Sequence, residues 1–167
     1  MNLLNIPNLL SISRIFLTPF FSYFLSKNEI FVSFILLSII VLTDALDGLI
    51  ARIFYKETKI GKILDHVTDK FVIAWIITTL YFLRDFPLWA LILIISRDFI
   101  SLLFGIYILK KDKIFGSNIF GKISGFLFAI TTLLFLFKLK LRFLFLYLTI
   151  SFFIIASLTY LKKFLYG

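Results

Sequence analysis

Four aspartates stand out in an otherwise strongly apolar chain: Asp44 and Asp47 near the end of one apolar run, Asp65 and Asp69 near the start of the next. At 100° per helical residue, positions three or four apart share a face, so each pair presents its carboxylates together. Carboxylate oxygens are hard ligands that suit Mg²⁺ or Mn²⁺. Four of them can hold one metal ion, or two about 4 Å apart as in many phosphoryl-transfer sites. The spacing therefore predicts a divalent-metal site that performs phosphate chemistry.

The elements that carry these aspartates are predicted to be membrane helices. The chain has 167 residues, 61% of them hydrophobic, and 23 are Phe. Apolar runs of about 20 residues recur along its whole length, which is typical of transmembrane segments. No soluble domain remains beside them, so residues 1–167 are predicted to form a single membrane domain. The fold class is all-α integral membrane, because in lipid each helix must satisfy its own backbone polar groups.

Six transmembrane helices are predicted. They cover approximately Leu9–Leu25, Ile30–Phe54, Ile63–Leu83, Pro87–Leu109, Ile123–Phe137 and Leu141–Leu161. The fifth is short for a full span and is expected to take in flanking residues. The first follows Asn5-Ile6-Pro7-Asn8, which has the Asn and Pro of a helix start. The first residues lack the basic region and cleavage site of a signal peptide, so they are expected to be retained.

Basic residues predict the orientation, because cytoplasmic loops carry an excess of Lys and Arg. With the N-terminus inside, the cytoplasmic side holds Arg52, Lys56, Lys59, Lys62, Lys110, Lys111, Lys113, Lys122, Lys162 and Lys163. The opposite side holds Lys27, Arg84, Lys138, Lys140 and Arg142. Both termini are therefore predicted to be cytoplasmic, in the inner (cytoplasmic) membrane of the cell. The net charge of +9 is attributed to loops facing anionic lipid, and a nucleic-acid partner is not expected.

Buried acidic charge is costly, and it needs compensation. Of nine acidic residues, the four aspartates and Asp98 lie inside predicted spans, where together they cost on the order of 10 kcal/mol. A bound cation or a wet cavity near the interface would offset that cost. The link from Ile53 to Ile60 lets its two flanking helices run antiparallel, so both aspartate pairs are predicted to meet between helices near the cytoplasmic surface. Small residues on the same faces, Gly48, Ala51 and Gly61, serve either close helix packing or the floor of a ligand site.

The spacing of these residues matches a known signature. Asp44-x2-Asp47-Gly48-x2-Ala51-Arg52-x8-Gly61-x3-Asp65-x3-Asp69 resembles the complete motif of the CDP-alcohol phosphatidyltransferases. The opening Asn5-Ile6-Pro7-Asn8-Leu9-Leu10 with Arg14, the pair Arg97-Asp98, and Ser117 with Gly121-Lys122 also match family positions. The opening is similar to that of the phosphatidylglycerophosphate synthases and cardiolipin synthases of this family.

This resemblance implies an activity and a division of roles. The enzyme would be a homodimer among membrane lipids, would bind CDP-diacylglycerol, and would transfer its phosphatidyl group to an alcohol, with release of CMP. The metal ligands would be Asp44, Asp47, Asp65 and Asp69, and Asp69 would also be the general base. The nucleotide and diphosphate would contact Asp47, Gly48, Ala51, Arg52, Gly61 and Asp65. The acceptor would contact Arg97, Lys122, Arg14, Asn8 and Ser117.

Several roles stay open from sequence. Arg14 and Arg97 either grip an acceptor phosphate, or snorkel, or pair with Asp98 and the cluster. Lys122 is either an acceptor ligand or a solvated loop charge. Lys70 is expected only to balance the charge of the cluster, and His66 to fill space rather than bind metal.

The acceptor itself is the least determined feature. The opening motif favours glycerol 3-phosphate. Arg97-Asp98 in place of Arg-Glu, and Gly121-Lys122-Ile123-Ser124 without a second Lys and a Thr, favour instead a cardiolipin synthase that uses phosphatidylglycerol. Inositol phosphate or serine acceptors rank lower. A divalent cation transporter is a distant non-enzyme alternative, because its carboxylates would be distributed along a path across the membrane rather than at one end.

Overall fold

The computed structural model describes the backbone of residues 6–54, 59–110 and 119–166, and the side chains of residues 10–43, 61, 65–105 and 119–159. Six α-helices cover this part of the chain. They are α1 (Ile6–Ser26), α2 (Ile30–Phe54), α3 (Lys59–Arg84), α4 (Leu88–Lys110), α5 (Ile119–Leu136) and α6 (Arg142–Tyr166). The all-α prediction is confirmed, and each predicted segment corresponds to one helix. The fifth does take in flanking residues, because α5 begins four residues before the predicted start.

The helices form two compact units, 1–113 and 114–167. In the first unit, α1 packs against both α2 and α3, and α3 packs against α4. Its core contains Phe21, Ile77, Leu80 and Ile94, each fully buried. In the second unit α5 packs against α6.

Four helical stretches within the described side chains are long and apolar enough to cross a membrane: Asp65–Arg84, Leu88–Gly105, Ile119–Leu136 and Arg142–Thr159. A shorter apolar stretch covers Ile30–Thr43. Large apolar side chains face outward on every helix, as on a surface that lipid covers. Several apolar helices therefore indicate a multi-pass membrane protein. The count of six spans and the orientation of the termini stay predictions.

The turns follow from their residues. Asn28 and Lys138 take left-handed backbone angles, with φ of 62° and 52°. Each ends a helix with a backbone hydrogen bond that closes six residues, from Glu29 N to Phe24 O (3.0 Å) and from Leu139 N to Leu134 O (2.9 Å). These bonds satisfy carbonyls that the helix end would otherwise leave without a partner.

Helix α1 continues through an internal proline, Pro19. Proline has no N–H, so the carbonyl of Ile15 lacks its usual helical donor. The hydroxyl of Thr18 donates to that carbonyl at 2.9 Å, and Thr18 is completely buried. Helix α1 remains helical across its length, and it packs against α3.

Candidate active site

The two predicted carboxylates of α3 contact the same arginine side chain. The side chains of Asp65 and Asp69 are one helical turn apart, and both reach the guanidinium of Arg14 on α1. Arg14 Nη1 donates to Asp69 Oδ1 at 2.6 Å, and Arg14 Nη2 donates to Asp65 Oδ1 at 3.1 Å. The shared face that helical spacing predicted is thus confirmed for this pair, because a single planar group contacts both carboxylates.

A serine on α1 adds a further contact to this pair. The Ser11 hydroxyl donates to Asp65 Oδ1 at 3.1 Å, and Arg14 Nη2 lies 3.3 Å from the same hydroxyl oxygen. Ser11 and Arg14 are three residues apart, so they lie on the same face of α1. Both are almost completely buried. Helix α1 therefore contributes directly to the aspartate site, a role that the signature alone does not assign to it.

The carboxylates themselves remain accessible. The side chain of Asp65 is 45% exposed and that of Asp69 is 30% exposed, whereas Arg14 beneath them is 2% exposed. Gly61, one turn earlier on α3, is partly exposed. A pair of hard oxygen donors that is open on one side and held by a buried cation on the other fits a divalent metal of the Mg²⁺ or Mn²⁺ class. No cluster of three or more potential metal ligands occurs among the described side chains, which include two of the four predicted aspartates.

The other half of the signature lies on α2. Residues 44–52, with Asp44, Asp47, Gly48, Ala51 and Arg52, belong to the helical stretch Ile30–Phe54, and their side chains lie outside the described residues. The same holds for the side chain of Asn8 near the start of α1. Ser117 lies outside the described backbone as well. The roles predicted for these residues stay predictions.

A second group of charges joins α3 to α4. Asp98 is nearly buried, at 5% exposure. Its Oδ1 accepts from Lys70 Nζ at 3.0 Å and from Arg97 Nη1 at 2.6 Å. The sequence left three roles open for Arg97, and the structure shows one of them, the pairing with Asp98. Lys70, expected to balance the aspartate cluster, pairs with Asp98 instead.

His66 lies at the interface between α3 and α4. The imidazole packs so closely on Gly105 that a Cβ added there would lie 3.1 Å from His66 Nε2. The Nε2 atom is buried and has no hydrogen-bond partner among the described residues. This placement agrees with the space-filling role expected of His66.

Lys122 lies in the second unit, in the first turns of α5, where its side chain is exposed. Its neighbour Ser124 is buried, and its hydroxyl donates to the Gly121 carbonyl at 2.9 Å. The acceptor role of Lys122 stays a prediction.

Sequence reasoning did not anticipate Ser11 or the pairing of Lys70 with Asp98. A signal for the first exists in hindsight: the polar residues Ser11, Arg14, Thr18 and Ser22 recur at intervals of three and four in an apolar helix. Such a stripe indicates a face turned toward protein rather than lipid. No comparable signal identified the partner of Lys70, because nothing in the local sequence places Asp98 of α4 beside it.

Comparison with known proteins agrees with the sequence motif. A family model described as CDP-alcohol phosphatidyltransferase matches residues 4–155. A relative from Aquifex aeolicus, named CDP-diacylglycerol–glycerol-3-phosphate 3-phosphatidyltransferase, is 33% identical over 132 residues, 78% of this chain and 74% of the relative. A Bacillus subtilis protein of the same name is 28% identical over 147 residues, 78% of this chain and 76% of that protein.

Cardiolipin synthases are also similar. A Drosophila melanogaster protein named probable cardiolipin synthase (CMP-forming) is 33% identical over 98 residues, which are 58% of this chain. The match covers 30% of that longer protein. Relatives of both names therefore resemble this chain, but the matches to the bacterial proteins extend over more of it.

Proposed function

Because the chain belongs to the CDP-alcohol phosphatidyltransferase family, we propose that it transfers the phosphatidyl group of CDP-diacylglycerol to glycerol 3-phosphate. The products are CMP and phosphatidylglycerol phosphate. Family membership makes the protein a transferase of phospholipid biosynthesis. The observation that carries the choice of acceptor is the match to the Aquifex relative, which covers about three quarters of both chains and bears the name of this reaction.

The proposed metal site consists of Asp44, Asp47, Asp65 and Asp69. Its support in the structure is the pair on α3, whose carboxylates are partly exposed and share the Arg14 guanidinium. When bound, Mg²⁺ or Mn²⁺ would neutralise the diphosphate and make CMP a better leaving group. The remaining signature residues, Gly48, Ala51, Arg52 and Gly61, are proposed to contact the nucleotide and diphosphate together with Asp47 and Asp65.

The proposed chemistry is a single displacement. Asp69 takes the proton of the acceptor hydroxyl, and the hydroxyl oxygen attacks the β-phosphorus of CDP-diacylglycerol. The bond from that phosphorus to the bridging oxygen breaks, and its electron pair leaves with CMP. Asp69 suits the role of base because it is accessible, yet Arg14 at 2.6 Å holds it in one orientation. Arg97, Lys122, Asn8 and Ser117 are proposed to bind the acceptor.

A second candidate is a cardiolipin synthase that uses phosphatidylglycerol as acceptor. It is favoured by Arg97-Asp98, where a Glu would be expected after the Arg, and by the similarity to the Drosophila protein. The chemistry at the aspartates would be the same, and the two candidates differ only in the alcohol. Arg97 is proposed to bind the acceptor headgroup in either case.

The proposed setting is the inner membrane of the cell, with six spans, both termini and the aspartates on the cytoplasmic side, and a homodimer as the working form. The basic loops support this orientation through their excess on one side. A site at the interface lets a lipid substrate keep its tails in the bilayer while its headgroup meets a water-soluble acceptor.

The direct test is CMP release by the purified protein with CDP-diacylglycerol and Mg²⁺ or Mn²⁺, each acceptor being offered in turn. We expect CMP with glycerol 3-phosphate. We expect Asp69→Asn to bind CDP-diacylglycerol but to turn over about 1,000-fold more slowly, since general-base catalysis contributes roughly 10²–10⁴-fold.

Asp85→Asn is the matched control, because Asp85 is an exposed aspartate after the opposite end of α3, and it should retain activity. CMP with phosphatidylglycerol alone would assign the second candidate. No CMP with any alcohol, from folded protein, would refute the proposed activity.

A further inference from the structure

Arg14 is the most deeply buried charged side chain among the described residues, with 1% of its surface exposed. Removing a guanidinium from water is costly unless anionic partners compensate. Its described ionic partners are the two aspartates of α3, at 2.6 and 3.1 Å. A buried arginine aimed at two members of a proposed metal site is an unusual component of such a site, because it carries the same sign of charge as the metal.

The geometry of this contact fits arginine in particular. The planar guanidinium has several N–H donors in a fixed fork, and two of its nitrogens reach two carboxylates that are four residues apart. The Ser11 hydroxyl supports the same Asp65 oxygen at 3.1 Å. Helix α1 thus contacts both Asp65 and Asp69, and their side chains remain 45% and 30% exposed.

We propose that Arg14 is a counter-ion and a positioning residue for the carboxylates of Asp65 and Asp69. As a counter-ion, Arg14 weakens their affinity for metal. As a positioning residue, it sets the orientation of Asp69. This inference rests on the proposed function, because it takes Asp65 and Asp69 as metal ligands and Asp69 as the base. The role differs from acceptor binding, the alternative considered from the sequence.

Two opposite effects follow from one positive charge. A fixed cation close to a bound divalent ion would oppose its binding, by roughly tenfold at a separation of about 5 Å even if the interaction is screened as in water. The same cation keeps two like charges at a defined separation and presents the base to the acceptor. Positioning of this kind is commonly worth about 100-fold in rate. Removal of Arg14 should therefore tighten metal binding and slow turnover, a combination that general loss of structure does not produce.

The experiment compares wild type, Arg14→Gln and Arg14→Lys in detergent, with Mn²⁺ itself as the probe. Mn²⁺ binding is measured by titration and free-ion electron paramagnetic resonance without substrate, and CMP release is measured separately at saturating Mn²⁺. For Arg14→Gln we expect a Kd for Mn²⁺ about tenfold lower and turnover about 100-fold lower. For Arg14→Lys we expect a Kd within about threefold of wild type and turnover about tenfold lower, because one ammonium group keeps the charge but not the fork.

Arg84→Gln is the matched control. Arg84 is also a buried arginine, 7% exposed, but it lies at the opposite end of α3 and donates to Asn28 Oδ1 at 2.9 Å. Its replacement should leave the Kd for Mn²⁺ and turnover within about twofold of wild type, since a charge about 25 Å away along the helix is screened.

The outcomes separate this inference from the proposed function. Unchanged or weaker Mn²⁺ binding in Arg14→Gln, or wild-type turnover, would overturn the role of Arg14 while an active, metal-binding wild type leaves the proposed function standing. A wild type that neither binds Mn²⁺ nor releases CMP would overturn the proposed function. If Arg14→Gln does not fold, Arg14→Lys decides: slower turnover with unchanged Kd supports the role, and wild-type turnover overturns it.

Discussion

At the scale of single residues, two of the three buried charges described in the first unit, Arg14 and Asp98, have a partner of opposite sign on another helix. Arg14 on α1 pairs with Asp65 and Asp69 on α3, and Asp98 on α4 pairs with Lys70 on α3. Because isolated charges are costly inside a membrane, such pairs explain how an apolar chain tolerates them. The pairs also join the helices that surround the aspartate site.

The replacement Asp98→Asn tests the second of these pairings. It leaves Lys70 and Arg97 beside a neutral amide, and their mutual repulsion then displaces both side chains. We expect a loss of about 2 kcal/mol in the free energy of unfolding, below the value for fully buried pairs because both cations are partly exposed. If Arg97 binds the acceptor, KM for glycerol 3-phosphate should rise about tenfold. Unfolding by dodecyl sulfate titration and CMP-release kinetics measure the two effects.

The KM for CDP-diacylglycerol should stay within about twofold in the same variant, since Asp98 has no proposed contact with that substrate. Asp98→Glu keeps the charge and should recover much of the stability. A KM for the acceptor equal to that of wild type would remove Arg97 and its anchor from the acceptor site.

At the scale of helices, α1 and α3 are joined by a polar stripe that runs along their contact. Ser11 and Arg14 bind the aspartates near one end of α3. Toward the other end, Ser22 lies 2.7 Å from the Thr79 hydroxyl oxygen and accepts from Trp75 Nε1 at 2.8 Å. In lipid, interhelical hydrogen bonds of this kind contribute about 0.6 kcal/mol each. Their greater effect is on register, because polar partners match at only one rotation of α1.

The turn between α1 and α2 is attached to the end of α3, which a pair of substitutions can test. Asn28 has a left-handed backbone and accepts from Arg84 Nη2 at 2.9 Å. Asn28→Gly loses the hydrogen bond but keeps the backbone freedom, so we expect a loss of about 1 kcal/mol. Asn28→Ala adds the left-handed strain of a Cβ and should lose about 2 kcal/mol. Unfolding of both variants in detergent gives the comparison.

Equal losses in the two Asn28 variants would mean that the hydrogen bond to Arg84 dominates and that strain is negligible. A more stable Asn28→Ala than Asn28→Gly would contradict the left-handed turn. Glu29→Ala, next to the same turn, serves as a control and should change stability by less than about 0.5 kcal/mol, as exposed positions usually do.

At the scale of the whole molecule, the predicted orientation is open to a simple experiment, because the chain has no cysteine. A single Lys138→Cys, in the exposed turn between α5 and α6, should react with a membrane-impermeant maleimide in intact cells. Lys163→Cys, in the C-terminal segment, should react only after permeabilisation. The reason is the excess of basic residues on the side that carries the C-terminus.

The unmodified chain is the control for background labelling. The reverse pattern would place the aspartate site on the outer side of the membrane and would contradict the predicted orientation. Labelling of both positions from the same side would mean that α6 does not span, and the count of six would be wrong.

The six helices and their order could be predicted from the sequence. Apolar runs of membrane length predict helices because lipid offers no other way to satisfy the backbone, and all six predicted segments are helical. The boundaries differ by a few residues: α6 continues to Tyr166, beyond the predicted Leu161, and α3 begins at Lys59, ahead of the predicted Ile63. Polar residues in the first turn are compatible with a helix, so apolarity alone underestimated its start.

The pairing of charges could not be read in the same way. Helical spacing placed Asp65 and Asp69 on one face of α3, but it left Arg14 with three roles and did not identify Asp98 as the partner of Lys70. The choice depends on how α1 and α4 are rotated and translated against α3, which follows from packing of side chains such as Phe21, Ile77 and Ile94 along the whole contact. Local sequence does not contain that information.

The four aspartates, their spacing and the family to which they belong were therefore determined by the sequence itself, since ligand chemistry and helical periodicity depend only on residue type and order. Tertiary structure decided that Arg14 and Ser11 of α1 contact Asp65 and Asp69, and that Asp98 pairs with Lys70. Those contacts join residues 28–55 positions apart, and a contact of that range exists only when the helices are packed.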